Sequence, residues 1–239
     1  MSHIRRAADD YGMIKDGDRI AVGISGGKDS LSLLVALQAM KRFYPAEYEL
    51  EAVTVSLGFV DFDVSPVRRL CDGIGVRYTV KETDIGEIIF GARMEPNPCS
   101  LCSRMRKGAL HDEAVRLGCN KVALGHNRDD AVQTFFMSMF YNGTLHCFSP
   151  VSYLDRKGLT CIRPLVYVPE RDVVSFVKSS GIEPVKSPCP ADGYTKREEI
   201  KGFINEQRRN YDRFDEKVFG ALKRSGLCGW QPIPRMPNR

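Results

Sequence analysis

Apolar runs alternate with helical patterns from residue 19 to residue 180, and this alternation limits the chain to few folds. Repeated strand–helix units form parallel strands, because each helix carries the chain back to the end where the next strand begins. Helices then cover both faces of the sheet. We therefore predict an α/β, Rossmann-like parallel sheet with helices on both faces. The predicted strands are 19–25, 50–57, 76–80, 121–126 and 160–168, and the predicted helices are 30–43, 65–74, 101–117, 130–141 and 169–179.

The strand pattern stops after about residue 188, and two polar helical patterns follow at 196–209 and 211–224. We predict one domain over 1–190 that carries the functional site, and a basic helical appendage with an extended tail over 191–239. From residue 190 onward there are 11 Lys or Arg against 7 Asp or Glu, so this stretch holds most of the net charge of +5. A basic region suits an anionic partner such as RNA, although a solvated helix face explains the same charges.

No apolar stretch approaches the roughly 20 residues that cross a bilayer, and the first ten residues lack a hydrophobic signal core. We expect a cytoplasmic protein without a membrane segment. Eight cysteines in such a protein argue against a disulfide framework, because that compartment keeps thiols reduced. Metal binding or catalysis is the better explanation for the cysteines that lie outside apolar patterns.

A glycine pair separates the first predicted strand from the first predicted helix. Two glycines there let backbone N–H groups close on an anion, while the helix N-terminus and a lysine add positive charge. The spacing differs from the common phosphate loop, because Val22 holds its first glycine position and Asp29 follows Lys28. It lacks the dinucleotide glycine pattern as well. The predicted phosphate cradle is Ser25, Gly26, Gly27, Lys28, Asp29 and Ser30.

A second polar motif, at 125–130, ends a predicted strand and opens a helix. Ligands bind beyond the carboxyl ends of parallel strands, so this motif and the cradle should be neighbours. Carboxylates beside a triphosphate can hold Mg²⁺ or orient a nucleophile, and His126 can contact phosphate or transfer a proton. For Asp129, helix capping is an equally good explanation. The motif is Gly125, His126, Asn127, Arg128, Asp129 and Asp130.

Cys99 and Cys102 have C-x-x-C spacing just before a helix, which lets both sulfurs reach one metal centre. The pair could serve in redox chemistry, in zinc binding or in an iron–sulfur cluster. Cys189, between two prolines, is the best third ligand, and three thiolates without a fourth favour a 4Fe-4S cluster with one open iron. Cys71, Cys119 and Cys161 lie in apolar patterns and should be buried. Cys147 and Cys228 are weaker alternative ligands.

Three cations, Arg104, Arg106 and Lys107, follow the second thiol within two helical turns. They could neutralise a pyrophosphate leaving group or hold an RNA backbone. An exposed basic helix face is the alternative explanation.

With these motifs together, the sequence resembles the tRNA 2-thiocytidine synthetase family, PP-loop ATP pyrophosphatases that transfer sulfur to tRNA. The resemblance spans residues 19 to 190. One departure concerns the third cysteine. Family members often carry a second C-x-x-C there, whereas Cys189 is followed by Pro190, Ala191 and Asp192. The matching motifs are S-G-G-K-D-S at 25–30, C-S-L-C-S-R-M-R-K-G at 99–108, A-L-G-H-N-R-D-D at 123–130, F-Y-N-G at 140–143, I-R-P-L at 162–165 and P-C at 188–189.

The resemblance implies an adenine nucleotide alpha hydrolase-like fold that uses ATP, Mg²⁺ and a 4Fe-4S cluster. It implies that a tRNA cytidine, at position 32, is adenylated on O2 and that sulfur then replaces this oxygen, with release of AMP and pyrophosphate. The implied cluster ligands are Cys99, Cys102 and Cys189, and the catalytic candidates are Asp130, Asp129, Arg106 and Lys107. The implied ATP contacts are Ser25, Gly26, Gly27, Lys28, Asp29, Ser30, Val55, Gly125 and His126.

The expected partners are tRNA and a sulfur donor, either a cysteine desulfurase or free sulfide, and a homodimer is kept open. Other functions fit the same motifs. The chain could thiolate another tRNA base or a small molecule, it could be a PP-loop ligase or amidotransferase with a structural zinc site, or it could be a redox sensor regulated by nucleotide.

Overall fold

The protein contains a six-stranded sheet with the order β3-β2-β1-β4-β6-β5. The computed structural model describes residues 1–59, 62–92, 98–185 and 196–233. Every neighbouring pair is parallel except β5 and β6, which are antiparallel. The predicted parallel sheet is thus confirmed, with one antiparallel edge strand added. The strands are β1 Asp18–Gly23, β2 Tyr48–Val55, β3 Arg77–Lys81, β4 Lys121–Ala123, β5 Val151–Leu154 and β6 Leu159–Ile162.

Helices cover both faces of the sheet, as predicted. In β1, Ile20 and Val22 pack into the larger core with α2, whereas Ala21 packs into a second core with α4. This alternation follows from the strand, in which successive side chains point to opposite faces. The helices are α1 Ser2–Asp10, α2 Lys28–Met40, α3 Ser65–Ile74, α4 Pro98–Arg116, α5 Arg128–Asn142, α6 Glu170–Ser180, α7 Lys196–Asn210 and α8 Phe214–Arg224, with a π-helical turn at Glu87–Ala92.

Two predicted strands are shorter than expected. The run 160–168 forms β6 only to Ile162, and a 3₁₀ turn at Pro164–Tyr167 follows. Pro164 has no N–H to donate to a ladder, which explains why the strand ends there. The run 121–126 forms β4 only to Ala123, so the second polar motif begins in a loop. The short edge strand β5 and the amphipathic helix α1 were not predicted.

The C-terminal helices are part of the main core. Phe136 of α5 packs against Phe203 of α7 and Phe214 at the start of α8, with ring centroids 5.4 and 5.9 Å apart. Trp230 is fully buried, and its carbonyl accepts a hydrogen bond from the Tyr11 hydroxyl at 2.9 Å. The two helices predicted for this region are present as α7 and α8, and they pack on the sheet domain. The predicted boundary at residue 190 falls outside the described residues.

None of the helices in the described ranges combines the length and the apolar character needed to cross a membrane.

Candidate functional site

The loop between β1 and α2 is folded tightly onto the first turn of the helix. The Ser30 hydroxyl donates to the Gly27 carbonyl at 3.0 Å and accepts from the Ser25 N–H at 3.2 Å. Gly26 has a φ of +81°, and its carbonyl accepts the Val185 N–H. A Cβ on Gly26 would lie 3.1 Å from Cβ of Val185. Glycine is therefore required here both for the backbone conformation and for the close contact.

The second motif packs directly against this loop. A Cβ on Gly125 would lie 3.1 Å from the backbone nitrogen of Ser30, so the two loops meet backbone to backbone. The Asn127 side chain donates from Nδ2 to Oδ1 of Asp29 at 2.8 Å. Asn127 and Asp130 also form a reciprocal cap at the start of α5, at 2.9 and 3.1 Å. The prediction that the two motifs are neighbours is confirmed.

A cavity of about 550 Å³ opens beside these loops, within the size range of small-molecule sites. Its apolar wall includes Val53 and Leu57, at and beyond the end of β2. The predicted residues that line it are Ser25, Asp29, Ser30, Val55, Gly125, His126, Arg106 and Lys107. Three further lining residues, Arg163, Arg197 and Phe148, were not among the predicted site residues.

Lys28 does not line this cavity, and neither do the predicted site residues Gly26, Gly27 and Asp130. The Nζ of Lys28 lies 2.8 Å from Asp29 Oδ2 and 2.8 Å from Glu170 Oε1. Burial lowers the pKa of Lys28, but the two carboxylates outweigh it and the net pKa is raised. Glu170 shows the opposite balance: burial raises its pKa, and Lys28 brings it below the ordinary value. Both groups are therefore charged at neutral pH.

Asp130 is held between a backbone N–H and a cation. Its Oδ2 accepts from the Asn127 N–H, and its Oδ1 lies 3.1 Å from Nη1 of Arg197. Burial raises the pKa of Asp130, and the Asn127 N–H and Arg197 offset part of that rise. A carboxylate with a raised pKa is suited to accepting a proton.

Asp129, a predicted catalytic candidate, is buried and does not line the cavity. Its Oδ1 accepts from Arg208 of α7, and its Oδ2 accepts from the Glu170 N–H at the start of α6, both at 2.7 Å. Arg208 also pairs with Asp215 of α8 at 2.7 Å. This arrangement favours a positioning role for Asp129, in which it joins α5 to three other helices, over direct catalysis.

His126 is neutral over the whole physiological range. Burial, followed by the positive charges of Arg163, Lys107 and Arg197, lowers the pKa of His126 to about 3. Its ring packs against Phe148 with centroids 4.9 Å apart. Its Nδ1 is buried and has no hydrogen-bond partner among the described residues. A neutral imidazole with a free nitrogen can contact a ligand but cannot act as a cationic acid.

The two thiols of the C-x-x-C pair lie in the first turns of α4. Cys99 is exposed and Cys102 is half-buried. Farther along this helix, Ser103, Arg106 and Lys107 line the cavity. Cys99 and Cys102 stand four residues before Ser103 and Arg106, on the same side of the helix, but neither thiol lines the cavity itself.

Cys189 lies outside the described residues, and within those ranges no three His, Cys, Asp or Glu side chains form a metal-binding group. The convergence of three cysteines therefore stays a prediction. Cys71, Cys119 and Cys161 are buried, as predicted. Cys147, a weaker alternative ligand, is also fully buried, and burial raises the pKa of its thiol to about 12, which opposes metal binding. The other alternative, Cys228, contacts Nδ1 of His146 at 3.3 Å.

The cavity residues that were not predicted have only weak indications in the sequence. Arg163 lies in the I-R-P-L motif, which sets it apart from an ordinary surface arginine. Arg197 is one of many charges in a basic helix, and nothing in the sequence shows that it reaches Asp130.

Comparison with known proteins places these features in a family. The PP-loop domain family matches residues 2–207. The chain is 39% identical over 227 residues to a tRNA-cytidine(32) 2-sulfurtransferase of Geobacter sulfurreducens, covering 94% of this chain and 85% of the relative. It is 37% identical to the enzyme of that name from Syntrophotalea carbinolica, covering 91% and 85%.

Among solved structures, the chain resembles the U34-tRNA thiolase NcsA from Methanococcus maripaludis, determined with its 4Fe-4S cluster. The TM-score is 0.77 at 22% identity, and the match covers 94% of this chain and 77% of the other. At that identity the likeness shows a shared fold.

Proposed function

This chain belongs to the PP-loop family and, within it, to the tRNA-cytidine(32) 2-sulfurtransferases, and from that premise we propose that it thiolates cytidine 32 of tRNA. It is an ATP-dependent transferase. The C2 oxygen of the cytidine attacks the α-phosphorus of ATP, and pyrophosphate leaves. Sulfur then replaces the adenylated oxygen at C2, and AMP leaves.

One observation carries this proposal. The helix that bears Cys99 and Cys102 also supplies Arg106 and Lys107 to the cavity bounded by the Ser25–Ser30 loop. The thiol pair therefore stands one helical turn before residues that face the phosphate cradle across this cavity. Activation by ATP and delivery of sulfur need such proximity, because the adenylated base must react before water reaches it.

The cavity offers each part of ATP a suitable wall. The N–H groups of the cradle, at the N-terminus of α2, would bind the phosphates. The apolar side chains of Val55 and Leu57, both partly exposed, would contact the adenine ring. Arg106, Lys107 and Arg163 would stabilise the charge that develops as pyrophosphate leaves.

Asp29 fits a magnesium ion bound together with the phosphates. Mg²⁺ is usually held by one or two carboxylates, phosphate oxygens and water. Asp29 lines the cavity, and each carboxylate oxygen that already accepts one hydrogen bond keeps a lone pair. Asp130, whose pKa is raised by burial, would accept the proton that the N4 amine of cytosine loses when O2 is adenylated.

The donor set at the start of α4 fits one side of an iron–sulfur cluster. Cys99 and Cys102 are one turn apart in the first turns of α4, where Cys99 is exposed and Cys102 is half-buried. Cys99, Cys102 and Cys189 would hold the cluster, which when bound would supply the sulfur atom. The sulfur donor, whether a cysteine desulfurase or free sulfide, and a homodimer remain predictions.

The test is anaerobic purification with iron and sulfide analysis, followed by incubation with tRNA, ATP and sulfide. Nucleoside mass spectrometry should show 2-thiocytidine at position 32, formed only with ATP. The Asp130→Asn variant should lose this product, while Asp172→Asn, an exposed carboxylate of α6, should keep it. A zinc-containing protein that leaves tRNA unmodified would overturn the proposal in favour of a ligase. Thiolation of a different base would overturn the assignment to cytidine 32.

A further inference from the structure

The F-Y-N-G motif at 140–143 has no part in the nucleotide cavity, yet it forms an exposed apolar surface. It lies at the C-terminal end of α5, where Phe140 is 50% exposed and Tyr141 is 38% exposed. Leu145, just beyond it, is 60% exposed. We call Phe140, Tyr141, Leu145 and the neighbouring Lys196 the aromatic rim.

The aromatic rim borders the cavity. Thr134 lines the cavity, and Tyr141 follows it by two turns on the same side of α5, about 10 Å along the helix axis. His146, directly after Leu145, lines the cavity as well. A strand of nucleic acid with one base in the cavity would therefore place its next nucleotides on this rim.

Tyr141 is held in place by its neighbours. Its hydroxyl donates to Oε2 of Glu199 at 2.6 Å, and Nζ of Lys196 lies 4.8 Å from its ring centroid. Arg197, the next residue, reaches the cavity. An oriented aromatic ring beside cations is the combination with which proteins bind single-stranded nucleic acids: the ring stacks on a base and the cations attract the phosphates.

We infer that the aromatic rim binds the unpaired loop nucleotides that flank the target base, by stacking on Tyr141 and by charge attraction to Lys196. This rests on the proposed function, since it takes the substrate to be an RNA loop. The rim reads an unpaired strand because only unpaired bases leave their faces free for a side chain.

The test measures binding of a labelled anticodon stem–loop RNA, without ATP, by fluorescence anisotropy. Tyr141→Ala should raise the Kd about tenfold, as expected for one lost stacked base. Tyr141→Phe should bind nearly as well as wild type, because the ring remains. Tyr153→Ala is the matched control, since Tyr153 is a 62% exposed tyrosine on a different element, the edge strand β5. A blunt-ended RNA duplex without unpaired nucleotides should show no difference between wild type and Tyr141→Ala.

Three results would refute RNA binding by the aromatic rim. The first is equal affinity of wild type and Tyr141→Ala for the stem–loop, and the second is an equal loss of affinity in Tyr153→Ala. The third is a change in oligomeric state in Tyr141→Ala without a change in RNA affinity. The last would mark the patch as an interface between two copies of the chain. Failure of the proposed function is separable. If the wild-type protein binds the stem–loop through Tyr141 but never thiolates tRNA, the binding role of the rim is supported and the proposed activity is refuted.

Discussion

The nucleotide end of the cavity and its cysteine end are built differently. At the nucleotide end, two loops meet backbone to backbone at Gly125, and Asn127 links them to Asp29 at 2.8 Å. At the cysteine end, an exposed Cys99 and a half-buried Cys102 stand on the first turns of one helix. Packing between the two loops fixes the shape of the nucleotide end. The cysteine end instead presents thiol side chains for a cluster that the protein must bind.

This difference predicts how each end responds to change. Close-packed backbone tolerates no added atoms, because its neighbours cannot move without disturbing the loops they belong to. Accessible side chains on a helix can be exchanged with little effect on the fold. A substitution at one end should therefore impair the function of that end and leave the other end intact.

Replacement of Cys102 by serine should have the largest effect. We expect 2-thiocytidine formation to fall to background, because serine cannot supply a thiolate ligand, while ATP affinity stays within about twofold of wild type. Nucleoside mass spectrometry and ATP binding by calorimetry measure the two quantities. Cys228→Ser, another half-buried thiol, is the control and should retain activity. An equal loss of ATP affinity in Cys102→Ser would show that the ends are not independent.

Replacement of Gly26 by alanine should damage the other end. Alanine at a φ of +81° is strained by about 1–2 kcal/mol, and its methyl group would press on Val185. We expect ATP affinity to fall about tenfold or more. Gly158→Ala separates strain from contact, since Gly158 has a φ of +62° and open space around it. If both variants lost stability equally and neither lost ATP affinity, the cradle would not be the phosphate site.

Replacement of Arg197 by glutamine should change the pH dependence. Arg197 holds the pKa of Asp130 below the value that burial alone would set, so its loss should raise that pKa further. Activity that needs the Asp130 carboxylate is lost as the pH falls through its pKa. The acidic limb of the pH–rate profile should therefore move to higher pH, with a severalfold loss of rate on that limb. Lys201→Gln, which removes a charge paired with Glu198 on the same helix, should leave the limb in place. An unmoved limb in Arg197→Gln would contradict the role given to Asp130.

Replacement of Glu170 by glutamine should have the smallest effect. Glu170 competes with the phosphates for Lys28, and a partly exposed ion pair contributes less than about 1 kcal/mol. We expect ATP affinity to improve by up to about fivefold. Asp172→Asn removes the same charge two residues away on α6 and should change affinity less. Weaker ATP binding in Glu170→Gln would mean that this carboxylate orients Lys28 for the phosphates.

Local patterns predicted much of the architecture. Strand and helix periodicity located β1, β2 and β3 and most helices, and the cradle glycines stand where predicted. The missed elements are short or polar. Strand β5 has four residues at an edge, where one side is solvated, and α1 carries only three small or apolar positions, Ile4, Ala7 and Ala8, on its buried face.

Contacts between distant residues could not be read from the sequence. Asp129 was equally compatible with capping and catalysis, and only its pairing with Arg208, 79 residues away, favours a positioning role. In the basic C-terminal region, Phe203, Phe214 and Trp230 pack into the core, whereas Tyr211 is 57% exposed, and the sequence pattern alone does not separate these two cases.

The sequence by itself determined the class of the fold, the place of the glycine loop between β1 and α2, and the position of the thiol pair in the first turns of α4, since each depends on residues close together in the chain. Tertiary structure alone decided which charges share the cavity, why His126 is neutral, and which carboxylate faces solvent-accessible space. The reason is physical: burial and charge pairing depend on distance in space, and the fold brings residues from four helices, two strands and the loops between them to one cavity.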